Sequence, residues 1–299
     1  MELSVVVPTL DGREQLAGTL DSVAANAPEV EVIVVNGPST DGTTGMVRDR
    51  TDVDVLVEIA DRSINAARNA GIEHASGDAV ALVNQGLSLT AEWIDALRAG
   101  FREAPVVTGP THRPVRAGKT TEPVERGTIA GRTVTYVNPG NLGVTRKVID
   151  DLDGFDEYLD IGGARDFSHR VAGIERSVSW QPEMAVERVV GADGGSTERD
   201  WGWKYRSLAY RLAKNYGLRP AVIGRVYRNA VSDGTDALGE VFNGERQASV
   251  WLDTGRQVIG GVVRGLKDGL TARARDRSQR RNPRGRSSRR DRAVSVFEN

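Results

Sequence analysis

Between Glu31 and Val47 the chain reads EVIVVNGPSTDGTTGMV, and no other stretch restricts its architecture as much. Val32, Ile33, Val34 and Val35 form a β-branched run without polar alternation, which suits a strand buried on both faces. The run breaks into Asn36-Gly37-Pro38-Ser39-Thr40-Asp41-Gly42, rich in turn formers and side-chain oxygens. Thr40 or Asp41 can cap a helix that starts near Thr43 and carries Met46 and Val47. Strand, polar turn and helix in that order place the turn at the carboxyl end of a parallel sheet, where open α/β sheets bind ligands. An ordinary connecting loop would have the same composition, so the surroundings decide.

The surroundings repeat the pattern. Leu3–Val7 reads as a strand ended by Pro8-Thr9, and Arg13–Ala25 as a helix with Leu16, Leu20 and Val23 on one face. With Val32–Val35 they make a βαβ unit, parallel by the crossover rule. Val53–Val57, Ala79–Val83 and Val106–Thr108 are further strands, with helices over Ile64–Ala75 and around Trp93, Leu97 and Phe101. Such alternation predicts an α/β fold with a mainly parallel sheet flanked by helices. From Pro110 to Gly131 the pattern lapses into polar and basic loop, and Thr133–Val137 reads as an added strand. Helices are expected over Arg146–Leu152 and, after Gly162-Gly163-Ala164-Arg165-Asp166, to near Gly173. Composition changes near Asp200, so a first domain is placed over 1–199, an amphipathic helical extension over 200–270 and an Arg-rich tail over 271–299.

Composition removes whole classes of chemistry. The 299 residues include no cysteine, which excludes disulfides, thiolate metal sites and cysteine nucleophiles. The three histidines, His74, His112 and His169, are too far apart in sequence to form a local metal motif. Met1–Thr9 reads as a strand rather than a signal, and no apolar run is long enough to cross a bilayer, so a cytoplasmic-side protein is expected. The net charge of −1 hides an asymmetry: residues 271–292 hold ten Arg and two Asp, leaving the rest distinctly acidic.

Five blocks carry a resemblance: SVVVPTLDGREQLAGTLDSV, EVIVVNGPSTDGTTG, INAARNAGIEHASGDAVALV, NPGNLGVTRKVIDDLDGFDEYL and GGARDFSHRVAG. In this order they resemble the family 2 glycosyltransferases of GT-A fold, over Leu3 to Gly195, roughly two-thirds of the chain. More narrowly, the sequence is similar to haloarchaeal members that assemble the lipid-linked glycan of S-layer N-glycosylation, particularly the glucuronosyl-transferring type. The resemblance implies inverting transfer of a sugar, for that type a hexuronic acid, from a nucleotide sugar to a lipid-linked acceptor. A UDP-sugar is the expected donor. It implies donor binding by Pro8, Thr9, Asn36, Asp41, Arg68, Asn84 and Gly86, with Arg68 near the diphosphate, where a guanidinium fork suits two phosphate oxygens. It implies Asp166 as catalytic base, although Asp166 reads equally well as a helix N-cap before Phe167–Ala172. Gly162, Gly163 and Arg165 fall on the acceptor side.

The departures are as informative. The first position of the nucleotide loop, usually Asp, is Asn36. The family's two-carboxylate metal motif falls on Asn84-Gln85-Gly86, which offers no anionic ligand to Mn or Mg, so no metal ligand is assigned. Either the cation is dispensable, with Arg68, Arg165 or another cation in its charge role, or transfer is weak or absent. Asp41, Asp61 and Asp78 are the alternative ligands to test. A catalytically weak or inactive relative that binds a nucleotide sugar or a partner enzyme is the competing expectation.

The last third carries other signals. Trp201, Tyr205, Leu208 and Leu212 make one helical stripe among Lys204, Arg211 and Lys214, which suits either a helix lying on a membrane or one packed on the catalytic domain. Trp251–Leu270 is a second candidate interfacial segment. The Arg-rich tail has the composition of a disordered segment, with attraction to anionic lipid. Together these predict a peripheral protein of the cytoplasmic membrane face. A nucleic-acid partner is not expected, because the tail lacks stacking residues and a recognisable module.

Overall fold

The computed structural model describes residues 1–115, 118–121, 123–188, 200–242 and 248–298. In chain order the elements begin with β1 (Leu3–Thr9), α1 (Arg13–Asn26), β2 (Glu31–Asn36), α2 (Thr43–Arg48), β3 (Val55–Ile59) and α3 (Ile64–His74). Next come β4 (Ala79–Val83), β5 (Leu87–Leu89), α4 (Trp93–Glu103), β6 (Val106–Thr108), β7 (Thr111–Val115) and β8 (Gly118–Thr121). They continue with β9 (Glu125–Ile129), β10 (Arg132–Tyr136), β11 (Asn141–Thr145), α5 (Arg146–Leu152), α6 (Gly163–Gly173), β12 (Val178–Trp180) and β13 (Val186–Arg188). The last are α7 (Trp201–Tyr216), α8 (Pro220–Phe242), α9 (Ala248–Arg275) and β14 (Ala293–Glu298).

The described residues form two compact units, one within Met1–Gly127, Thr135–Asp193 and Arg284–Asn299, the other within Thr128–Val134 and Gly194–Pro283. The first is built on an eight-stranded sheet of order β12-β6-β11-β4-β1-β2-β3-β14. β1 pairs in parallel with β2 and β4, and β2 with β3, while β11 and β14 run antiparallel to their neighbours. The uniform β-branched run of β2 is explained by burial on both sides. Val32 and Val34 join Leu16, Leu20 and Trp93 in one core, and Ile33 and Val35 join Ile72, Phe155 and Phe167 in the other. Thr9 lies level with Asn36, so β1 and β2 end together at the edge from which the ligand-side loops spring.

Two expectations change here. The stretch 110–131 holds strands rather than loop only: β7 joins β13 and β8 in a four-stranded sheet with β5, while β9 and β10 form a separate ribbon. Strand β11, concealed behind Asn138-Pro139-Gly140, inserts between β4 and β6.

The tail is the larger correction. Its arginines meet the acidic surface of the first unit, so residues 284–298 fold back instead of lying disordered. Arg292, fully buried, pairs with Glu73 at 2.6 Å and with Glu157. Arg289 pairs with Asp61 at 2.6 Å and Glu157 at 3.0 Å. β14 then caps the exposed edge of β3, removing an unpaired ladder. Part of the charge asymmetry of the sequence is thus neutralised within the fold.

The second unit is helical. The expected stripe of α7 points inward: Tyr205, Leu208 and Leu212 share a core with Ile129, Tyr216, Val222 and Val226, against which Trp201 packs. These residues build a core, so of the two readings of the stripe the lipid-facing one does not hold. Along α9, Gly261, Gly265 and Gly269 lie against α7 so closely that a Cβ on each would come within 2.4 Å of a backbone oxygen of Gly202, Arg206 or Tyr210. Among the described residues no helix is long and apolar enough to cross a membrane.

Candidate active site

Two clefts open beside the carboxyl ends of β1 and β4, both lined by Ile64 and Asn84. The smaller, about 260 Å³, is walled by Pro8, Thr9, Leu10, Gly37 and Gln85 on one side and residues 61–64 and Ala67 on the other. The larger, about 490 Å³, runs past Arg68, Tyr136, Pro139 and Trp180 to Asp160 and the start of α6. Of the residues expected to bind donor, Pro8, Thr9, Arg68 and Asn84 face these clefts.

The others do structural work nearby. Asn36 is buried, donating to Thr44 Oγ1 at 2.9 Å and accepting from Ser39 Oγ at 2.6 Å. Asp41 accepts from Thr43 Oγ1 at 2.6 Å, from the Thr43 N–H and from the Arg13 N–H, tying the starts of α1 and α2 together. Burial pushes its carboxyl up, but these hydrogen bonds outweigh it and hold the pKa below the usual value. Gly86, at φ +78°, turns its N–H to Thr19 Oγ1. Asn36, Asp41 and Gly86 therefore shape the loops without lining either cleft.

Arg68 is the unusual group. It sits on α3, 3% exposed, donating from Nη2 to Pro139 O at 2.6 Å and to Asn84 Oδ1 at 3.3 Å, and from Nη1 to Asn65 Oδ1 at 3.3 Å. Its Nε is buried with no partner, and no carboxylate pairs with it among the described residues. Burial alone pushes its pKa down to about 10. A buried, uncompensated cation is costly unless an anion completes the site. The loop that meets it is pinned: Asn138 donates to Thr111 Oγ1 at 2.8 Å and to Gly109 O at 3.0 Å, and accepts from the Gly140 N–H. The turn Asn138-Pro139-Gly140-Asn141 is a readable sequence signal for such a loop, though nothing in it points to Arg68.

Gly162 (φ +79°), Gly163 and Arg165 line the larger cleft. A Cβ at Gly163 would come within 2.3 Å of Asn65 Nδ2, so glycine is required for α6 to approach α3. Arg165 lies over the Tyr136 ring at 4.6 Å and grips Glu125 with two bonds of 2.9 and 2.6 Å. Asp166 does not join them. It is fully buried, turned from the cleft, with Oδ2 2.8 Å from Arg170 Nε, and Gly162 rather than Asp166 occupies the N-cap. Position 166 faces the core because it shares the buried face of α6 with Gly163, three residues before it, and Arg170, four after it. Neither sequence reading of Asp166, base or cap, describes this geometry.

A divalent cation does not fit here. Gln85 spends its amide on Thr9 and on both backbone groups of Leu10, and Asn84 turns its oxygen to Arg68. Asp41 spends its oxygens on Arg13 and Thr43, Asp61 pairs with Arg289, and Asp78 lies at the opposite end of β4, accepting from the Glu2 N–H. Among the described residues no group of three acidic or histidine side chains is arranged to hold a metal.

A mainly parallel sheet flanked by helices, with loops converging on a polar cleft and a buried arginine, is an α/β protein of GT-A fold. Residues 4–154 match glycosyl transferase family 2, and the chain belongs to that family. It is 24% identical over 203 residues to glycosyltransferase AglE of Haloferax volcanii, covering 61% of this chain and 65% of that protein. It is 26% identical over 100 residues to glycosyltransferase GlyA of Streptococcus pneumoniae, covering 32% of this chain and 14% of that one. The chain thus matches less than two-thirds of the length of either relative. Two solved structures share the fold. Mannosyltransferase PcManGT from Pyrobaculum calidifontis, in complex with GDP-Man and Mn2+, gives a TM-score of 0.58 at 16% identity, covering 89% of this chain and 87% of that one. S. aureus TarS 1-349, in complex with UDP-GlcNAc, gives 0.62 at 19% identity, covering 92% and 85%.

Proposed function

We propose that this protein transfers a sugar from a nucleotide-sugar donor to an acceptor hydroxyl with inversion. The observation that carries the reading is Arg68, a buried guanidinium with no carboxylate partner among the described residues, which lines the larger cleft and donates to Asn84, a residue common to both clefts. The smaller cleft takes the nucleoside between Pro8-Thr9-Leu10 and residues 61–64. Its diphosphate reaches Arg68, which balances the charge that develops as the bond from the anomeric carbon to the phosphate oxygen breaks. The sugar and acceptor occupy the larger cleft. The proton leaves the acceptor oxygen for a carboxylate, that oxygen bonds to the anomeric carbon, and the electron pair of the broken bond goes to the diphosphate.

The finer reading is a UDP-sugar donor, a hexuronic acid among the candidates, and a lipid-linked saccharide acceptor for N-glycosylation of surface proteins. The 24% likeness to the glycosyltransferase AglE of a haloarchaeon favours the lipid-linked acceptor, and the hexuronic acid donor rests on the resemblance of the sequence blocks alone. Attachment to the cytoplasmic membrane face would use α8, where Ile223, Tyr227 and Val231 are exposed at four-residue spacing beside exposed Arg219 and Arg228. A second reading, a relative that binds nucleotide sugar without turnover, is favoured by the burial of Asp166 and the missing carboxylates beyond β4.

A donor screen separates the two. Radiolabelled UDP-glucuronic acid, UDP-glucose, UDP-N-acetylglucosamine and GDP-mannose are offered with polyprenyl-phosphate-linked saccharides, with and without chelator. Transfer that survives chelator supports the enzyme. UDP binding without transfer from any donor supports the binding-only relative.

A further inference from the structure

We infer that Asp160, not Asp166, is the general base of this site; the assignment rests on the transferase reading. Inverting transfer needs a carboxylate that faces the acceptor and has an oxygen free to take a proton. Asp166 has neither property, being sealed in the core against Arg170. Among the described residues only two carboxylates line the larger cleft, Glu125 and Asp160. Both oxygens of Glu125 are taken by the two Nη groups of Arg165, so protonating it means giving up that bidentate pair. The Asp160 carboxylate is exposed, and no described group hydrogen-bonds or ion-pairs with it.

Its placement is built from the same residue that touches Arg68. Asn65 accepts from Arg68 Nη1 through Oδ1 at 3.3 Å and donates from Nδ2 to Leu159 O at 2.6 Å and to Asp156 O at 3.3 Å. One buried amide therefore links the cation expected at the leaving group to the peptide just before Asp160. Leu159 is itself fully buried, and the Tyr158 N–H bonds back to Asp156 Oδ1 at 3.1 Å, so the backbone entering Asp160 is fixed from both sides. Gly162, in the left-handed region, turns the chain into α6 immediately afterwards. Asp160 thus stands at the cleft rim on a pinned turn. In the step, the acceptor hydroxyl proton passes to an Asp160 oxygen as the acceptor oxygen bonds to the anomeric carbon. Asn65 is a positioning residue, holding base and cation in one frame.

The test uses the full chain with the donors above, calorimetric binding of UDP, and the pH dependence of kcat. Arg68, Arg165 and Glu125 are the other charged groups on this cleft, so Glu125→Gln is run in parallel. Asp160→Asn is expected to lower kcat by 10²-fold or more, the usual cost of losing a general base. UDP binding should stay within about twofold, since the donor contacts are untouched. The acidic limb of the kcat profile should vanish, and Asp160→Glu should restore part of the rate. Asn65→Ala should lower kcat without removing that limb. A parent that transfers sugar while Asp160→Asn keeps its rate and its acidic limb overturns the assignment and leaves the transferase reading standing. A parent that binds UDP but transfers nothing overturns both.

Discussion

Asp166 Oδ2 and Arg170 Nε lie 2.8 Å apart, one helical turn along α6, with both side chains wholly excluded from solvent. Arg170 also donates to Leu152 O at 2.8 Å and Gly154 O at 2.9 Å, so the pair locks α6 to the end of α5. Replacing Asp166 by Ala strands a buried cation, and a loss of about 3–5 kcal/mol is expected. Chemical denaturation should show that loss, while turnover per folded molecule, measured at low temperature, stays within a few-fold of the parent. A specific loss of rate at unchanged stability would return Asp166 to the mechanism.

Arg68→Gln should behave in the opposite way. The penalty of an unpaired buried charge offsets the hydrogen bonds lost, so stability should change by no more than about 1 kcal/mol. UDP affinity should fall roughly 10- to 100-fold, matching about 1.5–3 kcal/mol for charge-assisted bonds. Arg68→Lys should not rescue it, because an ammonium lacks the planar fork. The pH dependence has a defined sign. With Arg68 pushed down to about 10 by burial, the unfolded chain binds this proton more tightly. The penalty is therefore full below pH 10, and the parent should gain stability relative to Arg68→Gln as pH rises through that value. Denaturation of both proteins from pH 8 to 11 checks it.

Arg292→Ala addresses the folded tail. Arg292 is buried between Glu73 and Glu157, so a loss of about 3 kcal/mol or more is expected, little reduced by salt. Urea denaturation at low and high salt measures it. A variant as stable as the parent, with tail amides exchanging at unprotected rates, would restore the disordered-tail expectation.

Membrane attachment now has a different test surface. Ile223→Ser, Tyr227→Ser and Val231→Ser combined should weaken flotation with phosphatidylglycerol vesicles about 10²-fold, at roughly 1 kcal/mol for each partly inserted side chain. The loss should persist in high salt. Trp201→Ala should lower stability, because this ring packs on the second unit's core. Equal flotation of the triple variant and the parent would remove α8 from the attachment reading.

Local pattern determined much of this protein. The run Val32–Val35 reads as a strand with two buried faces, and with the repeated strands and helices around it the polar turn falls at the carboxyl end of the sheet, because residue type and turn chemistry act within a few residues. The ordered blocks placed Pro8, Thr9, Arg68, Gly162, Gly163 and Arg165 together at the clefts. Tertiary structure decided what local pattern could not reach. Whether a carboxylate faces solvent or a buried guanidinium depends on which side of α6 meets the sheet, and that sent Asp166 inward. Whether an arginine run stays in water depends on acids far away in sequence, and Glu73, Asp61 and Glu157 drew in Arg289 and Arg292. Whether an aromatic stripe meets lipid or protein depends on a partner helix, and α9's glycines let α7 come close enough to bury its own.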